Sequence, residues 1–502
     1  MKDESLGQIK TRGFSTIELL IATAITTLVL SAVVLVSFGG QSLLAENAAA
    51  ADAMNKAKDL LEETQTTARK DFRLINPIPE TTEGIYTSDV EVTTLPDFFT
   101  KIVTAKVNWR GAHGQDLNVT LDTVVTNFTA VNGGFTCDSV LTGNWASPQY
   151  SSYNFGGELL VPPDALDKYP ITDMDIFQNK AYVTVNNADA NTAPTFSIFD
   201  VSDPTEKPLF LGSLDNASTV SSGLNAVHAI KNYAYVASAY GANFDTCLQG
   251  ANCSQLQVIN ISDSANPSVA ANFKVPGVGG SGGQAIGKSI FYRGGYIYLG
   301  LAKTGSGPEF NILDVSDPVL PKLIGNYSVG NGVNALYVKG KYAYLATPND
   351  EELTILDIGD PANPTKVGGF DAPGGSGNGK TVDVVGNTLY LGRTLGGNEF
   401  FILDNSNPAS SLPELGSHDF GSESLRGLIV RDYLTFLLTS TKLHTWNTSN
   451  PASLSAHAPA FLLTNVAANA AGTALDCEGN YLYFSSEDSA GKGYITQVKP
   501  GL

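Results

Sequence analysis

The sequence predicts a mainly β protein led by one long α-helix. Charged residues make up only 16% of the 502-residue chain while Gly numbers 50, the balance of a turn-rich β fold rather than a helical one. An apolar strand running into an Asp or Asn turn recurs six times, with the turn residue at Asp200, Asn260, Asp314, Asp357, Asp404 and Asn447. The helix is read from the first 72 residues, where one apolar run passes into a stretch of strong helix formers.

Residues 1–12 are polar, with Lys2, Lys10 and Arg12 against Asp3 and Glu4. From Phe14 to Phe38 the only charge is Glu18. A membrane span needs roughly 20 apolar residues, and a cleaved secretory signal has an apolar region of only about 7–15. The segment that follows, LLAENAAAADAMNKAKDLLEETQTTARKDF, is rich in Ala, Leu, Glu and Lys. These residues favour helix, so the run is expected to continue as one amphipathic helix to Phe72. Gly39-Gly40 is its weak point.

Gly13, Phe14 and Glu18, set in a hydrophobic helix, resemble the class III signal of type IV pilins and pseudopilins. The resemblance implies cleavage by a prepilin peptidase between Gly13 and Phe14, with methylation of the new N-terminal Phe. Lys10 and Arg12 then stay cytoplasmic. It also implies that Glu18 is the counter-ion of the Phe14 α-amino group in a neighbouring subunit, because opposite charges in an apolar bundle cost less together than apart. Residues 84–130 (GIYTSDVEVTTL, KIVTAKVNW, LNVTLDTVVTNF) alternate with period two, which predicts a small antiparallel sheet. A long helix followed by such a sheet is the pilin architecture.

From about Leu159 the chain repeats. The apolar element appears as FSIFDVSDP, LQVINISDS, FNILDVSDP, LTILDIGDP, FFILDNSNP and LHTWNTSNP. An aromatic element appears as KAYVTV, YAYVAS, YIYLGL, YAYLAT, TLYLGR, YLTFLL and YLYFSS. Each unit reads as four short strands, and Asp357 and Pro361 supply the turn chemistry of the clearest copy. Four strands in a unit of roughly 45 residues is a propeller blade. FSIFD, FNILD, LTILD and FFILD resemble the LVIVD repeat of prokaryotic cell-surface propellers, over roughly residues 165–500. The last unit lacks a fourth strand, and GELLVPP at 157–163 is expected to supply it, closing seven blades and removing an open sheet edge. The expected division is a leader over 1–13, a pilin helix over 14–72, a pilin-like β region and linker over 73–150, and a seven-bladed propeller over 156–502.

Cys247 and Cys253 lie in a short polar loop, CLQGANC, read as a disulfide hairpin in an exported protein. The spacing also fits a metal pair, but no CxxC and no nearby His accompanies it. Propeller closure brings Cys137 towards Cys477, as a second bridge or as two buried thiols. No metal site and no cofactor is expected.

GGQAIGKS at 282–289 and GGSGNGKT at 374–381 both fit the P-loop pattern. That site needs a helix after the glycines, whereas IFYRGGYIYLGL and VDVVGNTLYLGR read as strands. NADANT at 187–192 lacks the Gly of a calcium loop, and Ile198 stands where the bidentate Glu belongs. The five histidines (113, 228, 418, 444 and 457) form no HExxH. With only three Trp, at 109, 145 and 446, a tryptophan-docked quinone site is not expected. Tyr182, Tyr235, Tyr298 and Tyr344 are read as packing between blades.

The functional expectation is a non-enzymatic minor pilin that carries its propeller on a filament and presents it at the cell surface for adhesion or ligand binding. Its partners would be prepilin peptidase, other pilins through the N-terminal helix, the inner membrane before assembly, and an unknown extracellular ligand. Net charge is −19 at sequence pI about 4.6, which argues against nucleic acid. Two alternatives stand beside it. One is a pseudopilin of a type II secretion or DNA-uptake system. The other is a tethered extracellular enzyme using carboxylates such as Asp173, Asp175 and Asp383.

Overall fold

The computed structural model describes residues 16–70, 72, 75–95, 100–111, 114–126, 137, 141–160, 168–186, 194–215, 223–238, 254–279, 284–348, 351–373, 377–394 and 396–501. Gly13, Phe14, Cys247, Cys253 and the side chain of Glu18 lie outside the described residues. The chain divides into two compact units: residues 1–65, 77–92 and 102–123, and residues 66–76, 93–101 and 124–502.

The first unit combines a helix and a sheet. Helix α1, Thr16–Lys70, runs unbroken through Gly39 and Gly40. Strands β1 (Ile78–Glu83), β2 (Tyr86–Thr94), β3 (Thr100–Arg110) and β4 (Asp116–Thr126) form an antiparallel sheet in that order. Ala53, Ala57, Leu61 and Thr64 are buried, and their spacing puts them on one helix face. Val103, Ala105, Val107 and Trp109 are buried at period two along β3. The Tyr86 hydroxyl donates to the Ala49 carbonyl at 3.2 Å, and the Lys56 ammonium lies 2.7 Å from Glu83. The earlier part of α1 differs: Ile21, Ile25, Leu28, Val29 and Leu30 are each more than half exposed. Among the described residues no helix is long and apolar enough to cross a membrane. The span expected over 14–38 is therefore unsupported there, and the side chains of 16–20, 22 and 33–38 within it lie outside the described set.

The second unit is a propeller-like array. Among the described residues, seven antiparallel sheets follow one another, each with four strands except the sixth, which has five. Their first strands are Ile171–Phe177, Leu224–Ile230, Gly287–Arg293, Ala335–Lys339, Gly379–Val385, Leu425–Arg431 and Ala471–Glu478. Each first strand contacts the first strand of the next sheet, and that of the last sheet also contacts that of the first.

Local chemistry repeats with the sheets. Each first hairpin turns on two residues, the leading one at positive φ: Gln178, Lys231, Gly294, Gly340, Gly386, Asp432 and Gly479. This is the turn that matches strand twist. Each turn carboxylate or amide at 200, 260, 314, 357, 404 and 447 accepts the backbone N–H two residues on, at 2.8–3.0 Å. These bonds to the ionised form hold Asp314 and Asp404 below the ordinary carboxylate range, and they add to the larger effect of the Ser202 side chain at Asp200 and of the Lys341 ammonium at Asp357.

The closing strand differs from the expected one. The last sheet consists of Ala471–Glu478, Tyr481–Glu487, Gly493–Gly501 and then β5, Asn144–Asn154. The β-array therefore begins near 144 and not at 156. GELLVPP cannot serve, because Pro162 and Pro163 have no backbone N–H to donate. Its Leu159 and Leu160 are instead buried in a cluster with Phe155 and Tyr169, next to a short π-helical turn at Phe155–Leu159.

The chain is also pinned just before β5. Cys137 and Cys477 form a disulfide with Cα atoms 5.3 Å apart. Asn480 accepts from the Thr142 amide at 3.1 Å and donates to the Thr142 carbonyl at 2.9 Å.

Candidate functional site

Five first strands share an irregularity near their start that leaves one residue unpaired: Thr172, Asn225, Lys288, Lys380 and Arg426. Asn334 in the fourth sheet and Thr473 in the seventh take the matching position. Such bulges re-aim a side chain. Where the residue is Thr172, Asn225 or Asn334, it latches the next sheet. Thr172 Oγ1 donates to the Leu224 carbonyl, Asn225 Nδ2 to that of Gly287 and Asn334 Nδ2 to that of Gly379, each at 2.7 Å.

These positions explain the two P-loop-like matches. The residues after each glycine run are strands, Gly287–Arg293 and Gly379–Val385. A Cβ on Gly287 would collide with the Gln255 carbonyl, and one on Gly379 with the Glu352 carbonyl. Glycine is therefore needed where the new first strand crosses the preceding sheet. Ser289 donates to the Val333 carbonyl at 3.0 Å, making the latch to the fourth sheet. The lysine between is the bulge residue in both copies. Lys288 and Lys380 are half-buried and Arg426 is exposed. Among the described residues, none of the three has an ion-pair partner. Burial, with Lys288 and Arg426 adding like charge, pushes Lys380 down to about 8, and burial alone lowers Lys288.

A second level holds the carboxylates. Asp175, Asp383 and Asp476 share one register position. Each accepts a backbone N–H from the first strand of the next sheet: Asp175 from Ala229 at 2.6 Å, Asp383 from Val430 at 3.3 Å, and Asp476 from Ile176. Asp173 does the same for Val227 at 2.9 Å, and Glu478 accepts the N–H of Asn179, in the hairpin turn of the first sheet, at 2.8 Å. The first strands have a partner on one side only, so these carboxylates satisfy donors on the free edge. Asp173, Asp175 and Asp383 are thus structural caps, a role the sequence could not reveal because each partner belongs to another sheet.

Burial dominates their electrostatics. It raises Asp173 to about 7, Asp476 to about 8 and Glu478 to about 7. Asp175 is raised well above the ordinary range by burial and then by the nearby Asp476. A carboxyl whose folded pKa is raised contributes stability that is fully present below its unfolded pKa. That stability declines as pH rises from the unfolded value and is gone once pH has passed the folded one, about 7 to 8 for Asp173, Asp476 and Glu478. The melting temperature is accordingly expected to fall from about pH 4, the ordinary carboxyl value, to about pH 8 and to level off above it. Asp476→Asn keeps a neutral acceptor and should flatten that fall. Parallel calorimetric curves for the two proteins would exclude this origin. Asp476 also lies beside Cys137 and Cys477, but two sulfurs bonded to each other offer no thiolate to a metal.

Tyr182, Tyr235, Tyr298 and Tyr344 are all buried. A groove of about 830 Å³ is lined by Lys168, Thr172, Asn186 and Glu487 among others.

No curated protein sequence matches the chain. Among solved structures it is similar to Raptor from Chaetomium thermophilum, at 12% identity and a TM-score of 0.47, covering 67% of this chain and 28% of that one. It is also similar to a putative 6-phosphogluconolactonase from Bacteroides uniformis, at 13% identity and a TM-score of 0.45, covering 57% of this chain and 82% of that one. A further putative 6-phosphogluconolactonase, from Bacteroides fragilis, aligns at 12% identity and a TM-score of 0.42, covering 75% of this chain and 95% of that one. The chain spans under a third of the length of the Raptor chain. The LVIVD repeat family model matches residues 283–329, 332–372 and 376–419, so the chain carries LVIVD repeats through its third, fourth and fifth sheets.

Proposed function

We propose that the chain is a minor-pilin-like subunit of a type IV pilus or related filament, and that it carries a seven-bladed propeller as a ligand-binding surface outside the cell. The observation that carries this reading is a single helix with two different surfaces. Its second half buries Ala53, Ala57 and Leu61, while Ile21, Ile25, Leu28, Val29 and Leu30 stand exposed. An apolar helix surface of that kind calls for other helices or lipid to cover it. The sequence Gly13-Phe14 with Glu18 at the head of the same run supports a pilin-type assembly. The contact between the first strands of the first and last sheets supports closure into seven blades. Binding rather than catalysis is favoured, because the carboxylates nearest the axis are engaged with backbone amides.

Intact-mass measurement and N-terminal sequencing of the protein from native membranes or shed filaments test the assembly. A chain beginning at methylated Phe14 is expected. A start at Met1, or a cut beyond Phe38, would overturn it. In filaments, Glu18→Ala is expected to abolish incorporation while leaving the propeller folded.

A further inference from the structure

We propose that Lys288, Lys380 and Arg426 form an anion-binding site at the mouth of the propeller, taking a carboxylate, sulfate or phosphate group of the ligand. The inference rests on the reading of the array as a closed, ligand-presenting propeller and names the chemistry its mouth selects.

At the bulge position the array's own structural solution is a neutral donor, Thr172, Asn225 or Asn334, bonded to the next first strand. The third, fifth and sixth sheets place a cation there instead. In the third the latch has moved to Ser289, which frees Lys288 from that duty. Asn334 lies between the two lysines in sheet order and ties its own strand to Gly379, the residue before Lys380. The three cations thus stand on first strands gathered around one axis, at one level.

Among the described residues, none of the three has an ion-pair partner. The chain carries 49 acidic against 30 basic side chains, so a basic cluster runs against its overall field. Asp175, Asp383 and Asp476 are spent on backbone N–H groups at the other register level, and Asp173, one residue after the bulge position, on that of Val227. Burial, and after it the charges of Lys288 and Arg426, depress Lys380, so both neighbours lie close enough to disfavour its charged form. An anion bound among them would reverse that effect, and its site would be made of long side chains able to converge on one charged group.

The test uses the full chain in detergent, at pH 7 and constant ionic strength, with sodium sulfate, inorganic phosphate, glucuronate and a glucuronate-containing oligosaccharide as probes in titration calorimetry. At least one probe is expected to bind at one site per chain, and Lys288→Met/Lys380→Met to weaken it at least tenfold. Equal affinities for glucuronate and the oligosaccharide would identify a single-anion site. A tenfold gain for the oligosaccharide would identify a polymer as the source of the anion. Should the double variant fold poorly by circular dichroism, Arg426→Gln at an exposed position gives the same readout. Absence of binding by every probe, or undiminished binding by the variants, would overturn the site. Since no filament is needed for the measurement, that outcome is separate from failure of the pilin reading.

Discussion

Replacing Arg393 by Met is expected to destabilise the array by about 3–5 kcal/mol, the usual cost of stranding one member of a buried ion pair. Arg393 and Glu352 are both fully buried, with Nη1 and Oε1 3.1 Å apart. The guanidinium also donates to the Gly396 carbonyl at 2.7 Å and lies over the Phe401 ring. Glu352 has a second duty, accepting the Ala372 amide at 2.8 Å. Glu309 and Glu399 hold the corresponding amides of Val329 at 3.0 Å and Phe420 at 2.7 Å. The glutamate is thus the repeat's clasp on the connection into the next sheet, and Arg393 is the added partner. Burial raises the Glu352 pKa even with Arg393 beside it, so the arginine's loss should drive Glu352 to take up a proton. Adding Glu352→Gln to Arg393→Met should then recover part of the stability. Urea titrations of the two single variants and the double variant measure this, and additive losses would exclude coupling between the two residues.

The second large effect is expected at the seam. Cys137→Ser should cost roughly 2–5 kcal/mol, because the bridge joins residues far apart in sequence and restricts the unfolded chain. Its sequence separation is 340 residues. The loss should be local in its first consequences. Amides of Asn144–Asn154 and Gly493–Gly501 should exchange faster with solvent, while those of the third and fourth sheets keep their protection. Treating the unaltered chain with reductant should reproduce the pattern. Uniform loss of protection across all seven sheets would show that the bridge supports the whole array and not the seam.

Much of this fold could be read from the sequence because its chemistry is local. The turn at Asp357 is fixed by a side chain bonding a backbone amide two residues away, and the apolar runs before it bury whole strands. What escaped reading depends on partners distant in the chain. Asn144–Asn154 contains Pro148 and a run of Ser and Tyr, shows no clean alternation, and is a strand because Gly493–Gly501 offers it an edge. GELLVPP looked more strand-like by apolarity, yet its prolines lack the donors a ladder needs. Lys288 and Lys380 were visible only as part of a nucleotide-binding pattern. Their place as bulge residues on first strands emerges only once the sheets are assembled.

The fastening of the last sheet also sets how the array would bear mechanical load. A tether attached upstream pulls on the chain at Cys137 before it reaches any strand of the repeats. Tension passes through the disulfide into the strand Ala471–Glu478, and any remainder reaches β5, paired along its length with Gly493–Gly501. Force applied along paired strands must break many hydrogen bonds at once, whereas force applied across them opens one pair after another. A tug from the N-terminal side is therefore borne by a covalent link and an eleven-residue strand, and the other six sheets lie outside the path of the load.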